Sequence, residues 1–351
     1  MTSDGNVSRR LTFARLGRVG AVVALGLAAA GLLPARAAAH AGRIAPAATS
    51  FLARVSSTPA GIDARIVDGD QRLWLRVAPR LTVLVLGLRS EPYLLFSPRG
   101  IDVNTNSATY YLNRARPLEP PAGLGPHTPP QWKRISSGRS TSWHDDRLHA
   151  LALAAHPSGN ALLGRWVVPV LVDGRRTQIA GTLRHAARPT LLWFWPLLLA
   201  AALVPALLRL GEARLEVQVG SALAALALAA ATAARLGREL YGRPTVSAGQ
   251  LALAAVTCAV ALGLVALCTR RDWRVLAEVA IGALSLYQGI ALLPTLRNGY
   301  VLAALPSWAE RTAAAVSLAA GSALLVAVLA GGILDEAREG MPTRAGRRAA
   351  G

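Results

Sequence analysis

Thr245–Thr269 reads TVSAGQLALAAVTCAVALGLVALCT and carries no charged side chain from end to end. A helix crosses the roughly 30 Å hydrocarbon core with about 20 apolar residues, so this stretch alone points to a membrane span. The runs Thr190–Leu208, Val217–Ala234, Val279–Leu296 and Thr312–Leu334 are equally free of charge. Five spans follow, at about 190–208, 215–234, 247–268, 275–296 and 312–334, within a membrane segment covering 189–334 and ahead of a basic tail at 335–351. Arginine sets their orientation. Segments predicted inside hold Arg209, Arg214, Arg270, Arg271, Arg274 and the tail arginines, whereas outer loops hold Arg235, Arg238, Arg243, Arg297 and Arg311. The positive-inside bias therefore puts the C-terminus in the cytoplasm. Trp193, Trp195 and Trp308 fall near the outer interface and Trp273 near the inner one, where amphipathic rings settle.

Composition agrees with a bilayer partner. The 351 residues are 53% hydrophobic with mean hydropathy +0.37, too apolar for an ordinary soluble chain. Lys+Arg 38 against Asp+Glu 19 gives +19, with Lys133 the single lysine. No Lys/Arg-rich helix interleaved with aromatics accompanies that charge, so nucleic-acid binding is not expected.

Residues 1–39 read as a secretory signal. Arg9, Arg10, Arg15 and Arg18 form a basic start, Val19–Leu33 an apolar stretch, and Ala37-Ala38-Ala39 supplies small residues for cleavage after the helix-breaking Pro34. Signal and arginine bias thus agree that 40–188 lies outside the cytoplasm. This part has no cysteine, so it must hold together by a core of its own. Strand-length runs at Leu52–Ser57, Ile62–Asp68, Arg72–Val77, Leu81–Leu88 and Tyr93–Ser97 are punctuated by Pro, Gly and Asp. Trp166–Val172 and Arg176–Leu183 flank Asp173-Gly174, a hairpin signal. The proline-rich Pro117–Pro130 is a loop. The expected fold is an α+β membrane protein: an exported antiparallel β-sandwich of the immunoglobulin-like kind, then a five-helix transmembrane bundle.

The densest candidate site is Trp143-His144-Asp145-Asp146-Arg147-Leu148-His149. Imidazole and carboxylate suit copper or zinc, and His144, Asp145, Asp146 and His149 are the candidate ligands. The two histidines are not at i,i+4, so no helix aligns them; a plain surface turn, with Asp145 capping it and Arg147 paired to Asp146, is the competing reading. His40 joins the candidates if cleavage follows Ala39, because a terminal amine and imidazole together clamp copper. Ala39-His40-Ala41 resembles the start of exported copper-binding sandwiches of the copper-resistance type. The exported part has no methionine, which disfavours Cu(I). His127 and His156 read as surface residues, and His185 as interfacial. No enzyme is expected: a Gly-x-Ser-x-Gly elbow is missing, both cysteines lie in the span at 247–268, and adjacent carboxylates cannot flank one bond. In the bundle, Glu278 is the ionisable residue best placed to enter a span, beside Arg274 one turn earlier. Gly282, Gly289 and Ala319–Ala323 favour close helix packing.

Leu84-Val85-Leu86-Gly87-Leu88, Glu91-Pro92-Tyr93-Leu94, Ser97-Pro98-Arg99-Gly100-Ile101, Tyr111-Leu112-Asn113 and Pro129–Ser136 leading into Trp143-His144-Asp145 resemble an uncharacterised actinobacterial membrane-protein family. The resemblance implies a signal, a β-rich exported domain and several C-terminal spans. Its histidine motif runs His-Asp-His-Arg-x-His followed by Trp-Met. This chain keeps His144, Asp145, Arg147 and His149 but has Asp146 for the middle histidine and Ala150-Leu151 for Trp-Met. No activity comes with the resemblance. The expectation is a non-enzymatic accessory or binding module with a membrane-protein partner and contact to copper or zinc; the alternative is a small transporter or channel subunit working through Glu278.

Overall fold

The computed structural model describes residues 46–114, 118–154, 157, 159–210, 213–242 and 244–339. The signal expected at 1–39, His40, His156 and the tail beyond 339 lie outside the described residues.

The N-terminal part is β-rich and wholly antiparallel. In chain order it contains β1 (Ala48–Thr49), β2 (Phe51–Ser57), β3 (Ile62–Val67), β4 (Arg72–Val77), β5 (Val83–Leu86), β6 (Pro92–Ser97) and β7 (Gly100–Asn104). A short helix α1 (Ala108–Leu112) precedes β8 (Trp132–Ser136) and β9 (Ser140–His144), and α2 (Ala150–Ala154) precedes β10 (Ala161–Val172) and β11 (Arg175–His185). Seven strands pair in the order β2-β11-β10-β5-β6-β7-β8, and three in the order β3-β4-β9. Alternation drives both sheets: Leu73, Leu75 and Val77 of β4 and Trp166, Val168 and Val170 of β10 turn inward while their neighbours face out. The inward residues of the two sheets meet in one apolar cluster that includes Trp143, Phe96, Ile101 and Leu148. Asp173 and Gly174, with φ of 47° and 79°, close the β10–β11 hairpin as the sequence indicates. Asp173 also accepts from the Thr82 amide at 2.9 Å, tying that turn to β5.

Strands β7, β8 and β9 depart from the sequence reading. Ser140-Thr141-Ser142 has no apolar run but pairs with β4, opposite Arg76, Leu75 and Trp74. Its side chains are polar up to Trp143, so no apolar alternation marks it; the backbone ladder and the burial of Trp143 hold it in place.

The C-terminal part is helical: α3 (Trp195–Leu210), α4 (Ala213–Glu239), α5 (Ala248–Cys268), α6 (Arg274–Ala291), α7 (Leu293–Arg297) and α8 (Ser307–Glu339). Four stretches are long and apolar enough to cross a membrane: Gln218–Glu239, Ala248–Cys268, Arg271–Ala291 and Ser307–Val328. The first expected span opens with a 3-10 turn, Leu191–Phe194, and continues as the 16-residue α3; among the described residues its apolar stretch is Leu191–Ala202. Helices α6 and α8 approach closely where glycines remove side chains: a Cβ on Gly321 would stand 2.8 Å from the Leu286 nitrogen, and one on Gly289 2.8 Å from the Leu318 nitrogen.

A seam joins the two parts. Strand β1 pairs with β12 (Tyr300–Val301), which lies between α7 and α8, in the register Ala48↔Val301 and Thr49↔Tyr300. The Leu302 amide donates to the Ala47 carbonyl at 2.9 Å. Arg238 donates to the carbonyls of Pro46 at 3.0 Å and Leu302 at 2.8 Å. Ser50 reaches Asn298 at 3.0 Å, and Arg65 of β3 reaches the Pro244 carbonyl, just before α5, at 3.1 Å. Ala47 is buried among Ala234, Leu296, Ala314 and Leu318 of the bundle. Every bundle residue in this seam lies at one end, where α4 stops and α5 and α8 start.

Candidate functional site

The His144–His149 segment is fixed by what it buries. Trp143, 5% exposed, pairs opposite Leu73 at the end of β9, and Leu148, fully buried, plugs the same core from a 3-10 turn, Asp146–Leu148. Between these two anchors the chain must turn, with Asp145 buried inside it and His144, Asp146 and Arg147 partly or fully exposed.

Asp145, 1% exposed, is the centre of the turn. It accepts from Trp143 Nε1 at 3.0 Å, from the Arg147 amide at 3.2 Å, and from Arg147 Nε and Nη2 at 2.7 Å each. This two-pronged pair leaves Arg147 Nη1 to donate to the Leu86 carbonyl at 3.0 Å, which links the turn to β5. The capping role read from sequence is correct, but the pairing is not: Arg147 binds Asp145, whereas Asp146 faces His144 Nε2 at 3.0 Å. The Asp145 oxygens are committed to these donors, so this residue is a structural acceptor.

His149 pairs with a different carboxylate from His144. Its Nδ1 meets Oδ2 of Asp70, a residue 2% exposed that lies 79 positions earlier in the β3–β4 turn. That turn is shaped by positive φ at Asp68 (63°) and Gly69 (83°), and Gly69 lies so close to Thr49 that a Cβ would stand 2.6 Å from its methyl. The Phe51 ring meets the His149 ring edge-on with centroids 5.8 Å apart. Burial pushes the Asp70 carboxyl above the usual range despite its hydrogen bond to His149. The hydrogen bond from His144 holds Asp146 below it. His144–Asp146 and His149–Asp70 are thus two separate imidazole–carboxylate pairs, each histidine acting weakly on the other's carboxylate.

Of the sequence candidates, the fold pairs His144 with Asp146, sets His149 against Asp70, which the sequence reading did not name, and commits Asp145 elsewhere. Among the described residues no group of three or more His, Cys, Asp or Glu side chains is arranged to hold a metal ion. His127 is exposed, and His185 Nδ1 contacts the Gly159 carbonyl at 2.7 Å while its ring packs on Phe51.

Glu91 is a second polar centre that sequence reasoning passed over. It is 1% exposed and accepts from Ser107 Oγ and Thr109 Oγ1 at 2.7 Å each, the Thr109 amide at 3.0 Å and the Arg89 amide at 2.9 Å. Burial alone would raise its pKa, but these donors hold it below the usual carboxylate range. Gly87 makes room for it: a Cβ there would stand 2.3 Å from the carboxylate. This knot ties the β5–β6 turn to α1.

In the bundle, Glu278 lines a groove with Arg274 and Cys268 at the end away from the seam. Among the described residues Arg274 and Glu278 form no ion pair. Glu310, wholly buried near the start of α8 against Gly237, has no hydrogen-bond partner among the described residues.

No family model, curated protein or solved structure matches this chain.

Proposed function

We propose that this protein is a non-enzymatic, multi-pass envelope protein of the actinobacterial family it resembles, with an extracytoplasmic accessory module held on the membrane. In this reading the signal directs export, the two sheets stack as a sandwich outside the cytoplasm, α3 leads a five-helix bundle with its preceding 3-10 turn, and the tail lies inside. The observation that carries it is the seam: β1–β12 pairing and the Arg238 clamp support a domain seated on the bundle rather than one swinging on a linker. A module so fixed presents its surface to a membrane-protein partner at a constant height and angle.

Contact with copper or zinc runs through His144 and His149. It is supported by the way each imidazole has one ring nitrogen against a carboxylate, the arrangement that orients a metal-binding histidine. Titrating the purified full chain with Cu(II) and Zn(II) tests this: the wild type binds, and His144→Ala/His149→Ala loses most of that affinity. Equal binding by both removes the metal from the account and leaves the accessory reading standing.

A small transporter or channel subunit is the second reading. It draws on Glu278, which lines a groove of about 130 Å³ among α4, α5 and α6. Ion or solute flux in proteoliposomes that Glu278→Gln abolishes would favour it; absence of flux in the wild type removes it.

A further inference from the structure

The groove beside Glu278 has walls of two kinds. Leu228 of α4, Val265 of α5 and Ile281 of α6 are apolar, while Arg274 and Glu278 place opposite charges on one side of the same space of about 130 Å³. These two are one helical turn apart and share a face of α6. Among the described residues neither has a hydrogen bond or ion pair, although Arg274 is close enough to act on Glu278 electrostatically. Their order, base before acid, is the poorer one for an i,i+4 pair because it opposes the helix dipole. Opposite Glu278, α4 presents Gly220, whose backbone leaves the carboxylate open: even a Cβ there would stand 3.8 Å from Oε1.

Two unmatched charges at the edge of hydrocarbon are costly unless something bridges them. A zwitterion does so, placing an anion on the guanidinium and a cation on the carboxylate, while an attached chain covers the apolar wall. The geometry points to a bound phospholipid with a primary-ammonium zwitterionic headgroup, of the phosphatidylethanolamine class: phosphate on Arg274, ammonium on Glu278, acyl chain along Leu228 and Ile281. A primary ammonium has hydrogens to donate to Glu278. A quaternary one has none and is recognised by aromatic cages, and no aromatic ring lines this groove. The proposal rests on reading the bundle as membrane-spanning and makes this end of it a lipid-held anchor.

Cys268 lines the same groove and reports on occupancy, once the other cysteine is removed as Cys258→Ala. The full chain in that background is reconstituted into phosphatidylglycerol vesicles, alone or mixed with phosphatidylethanolamine or phosphatidylcholine, and N-ethylmaleimide labelling is followed by intact mass. Phosphatidylethanolamine is expected to slow labelling of Cys268 several-fold, phosphatidylcholine to have little effect, and Glu278→Gln or Arg274→Gln to erase the protection. Equal rates in all vesicles, or protection that survives both substitutions, overturns the proposal. Protection in phosphatidylglycerol vesicles by dissolved phosphoethanolamine alone would also overturn it, in favour of a soluble ligand. Failure of the chain to float with any vesicle would instead sink the membrane reading beneath it.

Discussion

At the scale of single residues, the His144–His149 segment was visible because its members are contiguous, and half-legible because their partners are not. Asp145 as a cap follows from local rules, and the structure agrees. Asp70 could not be read, since it reaches His149 across 79 positions through a turn that tertiary packing creates. The same holds for Glu91, whose donors beyond the Arg89 amide of its own turn come from α1 and the residue that precedes it. Three expectations follow. Replacing Arg147 by Ala leaves Asp145 buried without its charge partner, which costs about 3 kcal/mol in chemical denaturation. Glu91 has a depressed pKa in the folded state, so its stabilising contribution is present above the ordinary carboxylate range and is lost as pH falls through the folded value. Glu91→Gln should be less stable near neutral pH and show a flatter loss in that acid window. Glu310, buried without a hydrogen bond among the described residues, is a cost to the fold. Glu310→Met should raise the melting temperature of the detergent-solubilised chain; a fall would mean that its carboxyl serves a partner.

Elements divide by how strongly their pattern is written. Long charge-free helices and alternating strands such as β4 and β10 are plain in the sequence because burial repeats at the helical or strand period. β8 is exposed along most of its length and β9 is polar up to Trp143, so neither shows apolar alternation until a neighbouring strand pairs with it. The first span illustrates the converse: absence of charge marks Thr190–Leu208 as apolar but does not set helix length, and a 3-10 turn takes its start. Close packing makes glycine indispensable in both halves. A Cβ on Gly181 of β11 would stand 2.1 Å from both the Arg54 carbonyl and the Trp166 ring, so Gly181→Ala should cost about 3 kcal/mol or prevent folding, read by denaturation or by loss of soluble yield. Gly321→Leu should force α8 from α6 and lower the melting temperature in detergent, whereas Gly263→Ala, on an open face of α5, should change it little.

For the whole molecule, the sequence supplied two halves and left their relation open; β1 and β12, two residues each, are too short to have a pattern. The seam is what fixes the β-rich part on the helical one, and it is also where the two parts touch. Because Leu302 donates to Ala47, the next pair, Ala48 and Val301, is a non-hydrogen-bonded antiparallel pair, with Cα atoms about 4.5 Å apart, within disulfide reach. The decisive measurement introduces Ala48→Cys and Val301→Cys into the full chain lacking Cys258 and Cys268, expressed in an exporting host, and scores the thiols by alkylation and mass. A disulfide should form in the cell without added oxidant, while a control pairing Ser57→Cys with Val301→Cys stays reduced. A bond that forms only with added oxidant would place the seam on the wrong side of the membrane, and thiols that stay free even then would contradict the seam itself.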